Sequence, residues 1–296
     1  MIKNGFYIHR RSNKIIIYNQ FSRQTFICEN TKQINEEEIY LKVADKIKDT
    51  SPKNNILNMK KTIFKGITNK NNQIISFLYW MILLAWIPLL LTDFFFLTNV
   101  NIGSQVKRSV SEYAGVKFIL YLVIEFTISI WLHEAAHIVF ALHNDLLVGE
   151  VGVMLYYFIP CAYTTICGMS LVKTKLSKIF ILISGSLMNL ILAEISLIFI
   201  LNGYGGIYAL SFAGINIISI VFNLLIFLKL DGYYILEILL NINNLREHSF
   251  DFLKQKNYHI FNYSMREKTY VVYSVFSILY LITLVASFVM AIWEIR

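Results

Sequence analysis

Long apolar runs separated by short polar segments dominate the chain from residue 74 onward. A hydrocarbon core of about 30 Å is crossed by roughly 20 helical residues, and five of the runs are long enough to do so. They predict membrane-spanning helices over residues 74–97, 118–142, 179–201, 208–230 and 270–293.

One shorter apolar segment, VGEVGVMLYYFIP (148–160), lies between the second and third runs. It is too apolar for an ordinary solvated loop and too short to cross the membrane. A re-entrant or interfacial hairpin is therefore favoured, because irregular backbone at membrane depth is tolerated only where protein or a water-filled cavity covers it. The alternative is an amphipathic segment that lies on the membrane surface.

The first 58 residues have a different pattern. Short runs rich in aromatic and β-branched residues, GFYIHR, KIIIYNQ and RQTFICE, are separated by the turn-forming segments SNK and NQFSR and predict strands. NEEEIYLKVADKIKD follows with helical spacing and acidic residues in its first turn. We expect a small α+β unit over residues 1–58, a basic juxtamembrane linker over 59–73 and a membrane-embedded domain over 74–296.

The composition agrees with a membrane protein. Of the 296 residues 56% are hydrophobic and 16% are charged, and the mean hydropathy is +0.55. Such values disfavour a soluble globular protein. The three cysteines are too few and too scattered for a disulfide framework or a thiolate metal site. The expected fold is mainly α, a polytopic helical membrane protein of about five spans with the hairpin and the small N-terminal α+β unit.

Basic residues are concentrated before the first apolar run. Residues 1–73 carry fourteen Lys or Arg and six Asp or Glu, whereas the remaining residues carry thirteen of each. No apolar run precedes residue 74, so no secretory signal peptide is expected. By the positive-inside rule we expect a multi-pass protein of the cell membrane with its N-terminus in the cytosol. The lipid bilayer is an expected partner, and no nucleic acid is.

Two histidines and a glutamate interrupt the second apolar run, in WLHEAAHIVF (131–140). His133 and His137 project from one helical face about 6 Å apart along the axis, so both can reach one ion. In an H-E-x-x-H arrangement the histidines bind Zn²⁺, and Glu134 acts on the attacking water as general base. A charge at bilayer depth costs roughly 2.5–3.5 kcal/mol, which favours a functional role. The alternative, histidines that only hydrogen-bond between helices, leaves the glutamate unexplained.

A third ligand is expected from NLLIFLKLDGYYIL (223–236), since a catalytic zinc site has three protein ligands and one open position. Asp231 is the best candidate, at the end of the fourth predicted span. Gly232 would let the backbone turn so that the carboxylate points inward. The alternative is that Asp231 is an exposed acid just past a helix end. Three other acids are interpreted as hydrogen-bonding or cavity-lining groups: Asp93, Glu125 and Glu194.

The order of these motifs, HEAAH (133–137) and then LDGYY (230–234), resembles the site-2 protease family of intramembrane zinc metalloproteases. LKLDGYYIL together with YFIPCAY is most similar to the membrane peptide zinc metalloproteases of bacterial modified-peptide gene clusters, including those for epipeptides. The resemblance covers roughly residues 118–240. It implies Zn²⁺ as cofactor, Glu134 as catalytic acid/base, and these metal ligands: His133, His137 and Asp231.

The resemblance also implies supporting residues, with departures from the family pattern. SGSLMN (184–189) matches a stretch of the family's third core helix, with Ser186 where proline is usual. Asn189 in this stretch is a candidate substrate-binding or supporting group. Relatives often read N-x-x-P before the aspartate, and here Asn223 remains while Ile226 replaces the proline. Gly232 is a further candidate of the same kind.

The implied reaction is hydrolysis of a peptide bond, either leader removal from a modified-peptide precursor or cleavage of a membrane-anchored regulatory protein. A biosynthesis and export system for modified peptides is then an expected partner. An unwound substrate could pair with the edge of the hairpin as an added strand. Residues 1–58 resemble leader-peptide-binding domains, although their basic surface could hold anionic lipid headgroups instead. The alternative function is a non-catalytic metal-binding membrane component, such as a peptide-transporter subunit or an immunity factor.

Overall fold

The structure is a computed structural model, and it describes residues 2–3, 6–11, 14–19, 24–29, 60–68, 72–99, 116–156, 159–254 and 264–294. Across these ranges the chain forms seven strands and seven α-helices. Residues 1–222 form one compact unit, and residues 223–296 form a second.

The strands are β1 (Ile2–Lys3), β2 (Phe6–Arg11), β3 (Lys14–Asn19), β4 (Gln24–Glu29), β5 (Lys60–Ile67), β6 (Leu147–Tyr156) and β7 (Ile159–Cys167). The first four helices are α1 (Asn72–Asn99), α2 (Val116–His143), α3 (Lys175–Leu201) and α4 (Gly206–Asn223). The second unit contains α5 (Asp231–Leu240), α6 (Leu245–Lys254) and α7 (Met265–Glu294).

Within the described residues, four helices, α1 to α4, are long and apolar enough to cross a membrane. They correspond to the first four predicted spans, so the mainly helical membrane fold is confirmed in this coarse form. α7 covers the fifth predicted run, whose crossing of the membrane stays a prediction.

The N-terminal strands form an antiparallel sheet in the order β1-β2-β3-β4. Strands β2, β3 and β4 coincide with the three strands predicted from the sequence, while the helix predicted after them lies outside the described residues. β3 is the most buried strand, because its run of isoleucines and Tyr18 is almost inaccessible to solvent.

The segment between α2 and α3 forms the expected hairpin, and β5 pairs with it to give a second sheet in the order β5-β6-β7. Two expectations are corrected here. Part of the segment predicted as a linker (59–73) is a strand. The other correction concerns the exposed edge expected for segment 148–160. Most of this segment is β6, which has a neighbouring strand on each side, so among the described residues β5 and β7 are the edge strands of this sheet.

The N-terminal sheet packs directly on the hairpin. Tyr7, Ile16 and Tyr18 form one buried apolar cluster with Leu147 and Cys167. Burial in this cluster raises the pKa of the Cys167 thiol to about 11. The two sheets therefore share a dry contact within the first unit.

α3 is the central helix of the first unit. Half of its apolar span is buried (50%), compared with 6% for α1, 17% for α2 and 11% for α4. It begins at a capped end, where the Thr174 hydroxyl accepts a hydrogen bond from the Ser177 amide at 3.1 Å. Phe140 and Ala141 of α2 share a buried cluster with Ile181 of α3, so the C-terminal part of α2 packs on the N-terminal part of α3.

Buried polar side chains join α2 to α4. The Ser129 hydroxyl donates a hydrogen bond to Asn216 Oδ1 at 2.8 Å, and the Ser211 hydroxyl donates to Glu125 Oε2 at 2.7 Å. Polar groups at membrane depth are stable when they pair across a helix interface. The interpretation of Glu125 as an interhelical hydrogen-bonding group agrees with this contact.

The predicted C-terminal end of the fourth span (208–230) is wrong. α4 stops at Asn223, turns follow, and α5 begins at Asp231. Side chains of α7 explain the interruption, because the Tyr273 hydroxyl donates to the Ile226 carbonyl at 3.2 Å and the Tyr280 ring stacks on Phe227 at 5.0 Å. These contacts stabilise the non-helical turn at residues 226 and 227.

The short helices of the second unit are connected by side-chain hydrogen bonds to backbone amides. The Arg246 amide donates to the Tyr233 hydroxyl at 3.1 Å, and the Leu245 amide donates to Glu237 Oε1 at 2.9 Å. Both bonds satisfy donors in the first turn of α6 that have no partner within the helix. Burial, the largest cause, raises the pKa of the Tyr233 hydroxyl.

Gly66 is a position where the joint between the two sheets excludes any larger residue. Its φ is +63°, and a Cβ there would lie 1.9 Å from the Tyr7 ring. We expect Gly66→Ala to lower the free energy of unfolding by about 2 kcal/mol or more, from backbone strain plus this clash. Gly203 is the matched control, because its φ is +78° but a Cβ there meets nothing within 4 Å. Thermal unfolding of both variants in detergent checks this, and equal losses at the two positions would contradict the clash.

Candidate metal centre

The two predicted histidine ligands lie side by side on the buried face of α2. His133 and His137 are each 5% exposed, and their Nε2 atoms are 3.2 Å apart. One helical turn separates them, so the helix itself brings both imidazoles to the same point.

A contact with α3 fixes the orientation of the second imidazole. His137 Nδ1 lies 2.8 Å from the Ile181 carbonyl oxygen, and the Ser184 hydroxyl lies 3.2 Å from the same nitrogen. A carbonyl oxygen only accepts hydrogen bonds, so Nδ1 must carry the proton in the neutral ring. Nε2 is then the nitrogen that can bind a metal, which is how a second shell usually orients a histidine ligand.

The spacing of the two nitrogens fits a zinc ion. With Zn–N bonds of about 2.0–2.1 Å and tetrahedral angles, two ligating nitrogens lie roughly 3.3 Å apart. The 3.2 Å between the Nε2 atoms of His133 and His137 agrees with that separation. The imidazoles therefore already have the geometry of a ligand pair.

Gly185 of α3 makes room for the first imidazole. A Cβ at this position would lie 2.4 Å from His133 Nε2. The absence of a side chain lets α3 approach α2 closely at the level of the ligand atom, as small residues do between membrane helices. Gly185 and Ser184 were not among the predicted site residues, although the S-G-S run inside an apolar helix is a signal for such an approach.

Asp231 is the first residue of α5 rather than the last residue of a span, and it is half-buried. Asp231 belongs to the second unit, so its place beside His133 and His137 in one ligand set stays a prediction. Two imidazoles and a carboxylate are a donor set that zinc accepts while keeping a position for water or substrate.

Gly232 has a different role from the predicted one. It lies inside α5 and is not among the residues with positive φ, so it does not supply a turn. A Cβ there would lie 2.3 Å from the Leu224 carbonyl oxygen. The glycine therefore allows the first turn of α5, which carries Asp231, to pack on the backbone that precedes it.

Glu134 follows His133 on α2 and is 9% exposed. Its surroundings include the hairpin, since burial raises the pKa of the Cys161 thiol and the negative charge of Glu134 adds to this rise. Strand β7 thus passes close enough to the glutamate for their charges to interact. The predicted general base lies next to a strand as well as next to the ligands.

The predicted supporting residues occupy different positions. Asn189 lies one turn beyond Gly185 on α3, is 1% exposed, and its Oδ1 has no hydrogen-bond partner among the described residues. Asn223 is the last residue of α4 and is half-buried. Contact of either residue with a substrate stays a prediction.

A buried histidine pair on a membrane helix, with a glutamate beside it, defines a candidate metal centre of the metallopeptidase type. Residues 121–213 match the family model described as Peptidase family M50. The match covers less than half of the chain, includes HEAAH and SGSLMN, and ends before Asp231. The match supports a relationship to the site-2 protease family, whose members are zinc-dependent in general. No curated protein and no solved structure matches the chain.

Gly185 provides a test of this geometry through metal content. We expect Gly185→Ala to lower zinc affinity about tenfold or more, because the added methyl displaces His133 Nε2. Gly214→Ala is the control, since this glycine also lies in an apolar helix and a Cβ there meets nothing within 4 Å. Zinc measured by mass spectrometry after dialysis against a weak chelator distinguishes the two. Equal zinc content in both variants would contradict the close approach.

Proposed function

We propose that the protein is a membrane zinc metalloprotease of the site-2 type that hydrolyses a peptide bond in or at the cell membrane. The observation that carries the proposal is the 3.2 Å separation of the two Nε2 atoms, with His137 held in the metal-binding tautomer by Ile181. The match to Peptidase family M50 over this helix supports the reaction class.

His133, His137 and Asp231 would hold the metal. When bound, zinc supplies Lewis-acid polarisation of a scissile carbonyl and makes water more acidic. The chain contributes the donor groups, the orientation of His137 by the Ile181 carbonyl, and the space that Gly185 leaves for His133.

Glu134 is proposed as the general base and acid of the reaction. Its carboxylate takes a proton from the attacking water and returns it to the amine nitrogen of the leaving peptide. Its 9% exposure keeps bulk water away from the carboxylate, and its place beside His133 positions the proton acceptor next to the metal ligands.

The proposed substrate is a modified-peptide precursor, from which a leader is removed, or a membrane-anchored regulatory protein. A helical segment must unwind before hydrolysis, and the open edge of β7 offers backbone groups with which an extended segment can pair. The packing of the N-terminal sheet on the hairpin is compatible with capture of a leader peptide near the site. A cytosolic N-terminus and an associated export system belong to this proposal.

Glu134→Gln tests the chemistry separately from metal binding. We expect the variant to keep about one zinc ion per chain and to lose cleavage by at least about a hundredfold, because the amide cannot accept the proton from water. Zinc analysis and cleavage of a co-expressed candidate precursor, followed by mass spectrometry, are the measurements.

His133→Ala and Asp231→Asn are the companion variants, and we expect both to lose zinc as well as cleavage. Retention of zinc in Asp231→Asn would move the third ligand to another residue. Processing by Glu134→Gln at the wild-type rate would contradict the protease and favour a non-catalytic metal-binding component.

A further inference from the structure

An open groove of about 260 Å³ lies at one end of the β5-β6-β7 sheet, apart from the histidine pair. Four of its lining residues are apolar and two are lysines, and no acidic residue lines it among the described residues. The lining residues are Lys60, Lys61, Val153, Met154, Leu155 and Pro160. The groove therefore combines a mostly apolar surface with the side chains of two lysines.

Strand pairing, not a loop, creates this surface. Lys60 and Lys61 of β5 lie opposite Met154 and Val153 of β6, and Leu155 of β6 lies opposite Pro160 of β7. Hydrogen-bonded strands keep these positions in a fixed register. The apolar side chains are nonetheless accessible, since Val153 is 38% and Leu155 is 37% exposed. Exposed apolar side chains grouped beside cations are typical of a binding surface.

One of the lysines is held in position by the sheet. The Lys60 ammonium lies 4.9 Å from the centroid of the Tyr163 ring, a cation–π distance. The Tyr163 hydroxyl is in turn 3.0 Å from the Thr62 hydroxyl. This arrangement keeps a positive charge at the groove and reduces the entropy lost when an anion binds.

The groove lies near the proposed general base. Pro160 is followed along β7 by Cys161, whose thiol is close enough to Glu134 to feel its charge. Lys60, Met154 and Cys161 occupy one row across the three strands. Two interstrand spacings amount to about 10 Å, so the backbone of Lys60 lies about that far from the backbone of Cys161. An extended peptide of a few residues would bridge this distance.

We propose that this groove is a substrate subsite that selects peptide segments carrying a carboxylate beside apolar side chains, near the scissile bond. The inference rests on the proposed protease function and adds the substrate's chemistry to it. Metal ligands and Glu134 act on backbone atoms and do not distinguish one side chain from another. A surface with positive charge supplies that selection, because it attracts a carboxylate and repels a cation.

The test measures peptide binding to zinc-loaded Glu134→Gln protein in detergent, so that binding is separated from cleavage. Three fluorescein-labelled synthetic peptides share one apolar sequence and differ only in a central Glu, Gln or Lys. We expect the Glu peptide to bind about tenfold more tightly than the Gln peptide. Fluorescence anisotropy gives the dissociation constants.

Two double variants and a control determine where the preference arises. Lys60→Gln with Lys61→Gln should remove it, and Lys60→Glu with Lys61→Glu should make the Lys peptide the tightest binder. Lys173→Gln with Lys175→Gln removes two exposed lysines that do not line the groove, and it should leave the preference unchanged. Unchanged zinc content verifies that each variant is folded.

The proposal is overturned if the three peptides bind equally, if none binds, or if the preference survives Lys60→Gln with Lys61→Gln. It is also overturned if that variant loses co-purified phosphatidylglycerol while its peptide preference is unchanged, which would assign the lysines to lipid. Equal binding together with cleavage of all three peptides by the wild type would reject this subsite and support the protease. A charge preference without cleavage of any peptide would support this subsite and contradict the protease.

Discussion

The site depends on the hydrogen bond between His137 Nδ1 and the Ile181 carbonyl, which joins α2 to the central helix α3. Without it either ring nitrogen could carry the proton, and the ring could rotate away from His133. The bond sets both the tautomer and the direction of Nε2. Because Gly185 follows one turn after Ile181, the same helix that orients one imidazole also provides space for the other. The packing of two apolar helices therefore determines the chemistry that their few polar groups can perform.

The hydrocarbon environment explains why buried polar side chains recur along α2. Glu125, Ser129, His133 and His137 follow one another at intervals of four residues, and each is at most 5% exposed. An unpaired polar group in hydrocarbon costs several kcal/mol, so such a stripe is stable only against partners on neighbouring helices. Serine and asparagine side chains of α4 contact its first two members, Glu125 and Ser129, and α3 contacts His137. The stripe thus holds three helices together and ends at the candidate metal centre.

Local patterns made part of this structure predictable. HEAAH has a spacing that defines its geometry on a helix. Aromatic and β-branched runs identified the N-terminal strands, and the length and apolar character of segment 148–160 identified the hairpin. Other features depend on residues far apart in the chain. Strand β5 pairs with β6 although α1 and α2 lie between the two strands in the sequence. Its lysines led to the prediction of a basic linker rather than a strand. The turn at Ile226 depends on Tyr273 of α7, and the need for Gly185 depends on the position of His133.

Strand β7 connects the N-terminal sheet to the surroundings of Glu134. At its end, Cys167 belongs to the apolar cluster with Tyr18, and near its beginning Cys161 interacts with the charge of the glutamate. Nine residues of extended chain cover about 30 Å, and they pair with β6 along this length with one register shift between Val148 and Glu150. A displacement at one end of such a strand cannot be absorbed by a loop along its length. The N-terminal strands are consequently part of the scaffold around the candidate metal centre, because they hold the strand that lies beside it.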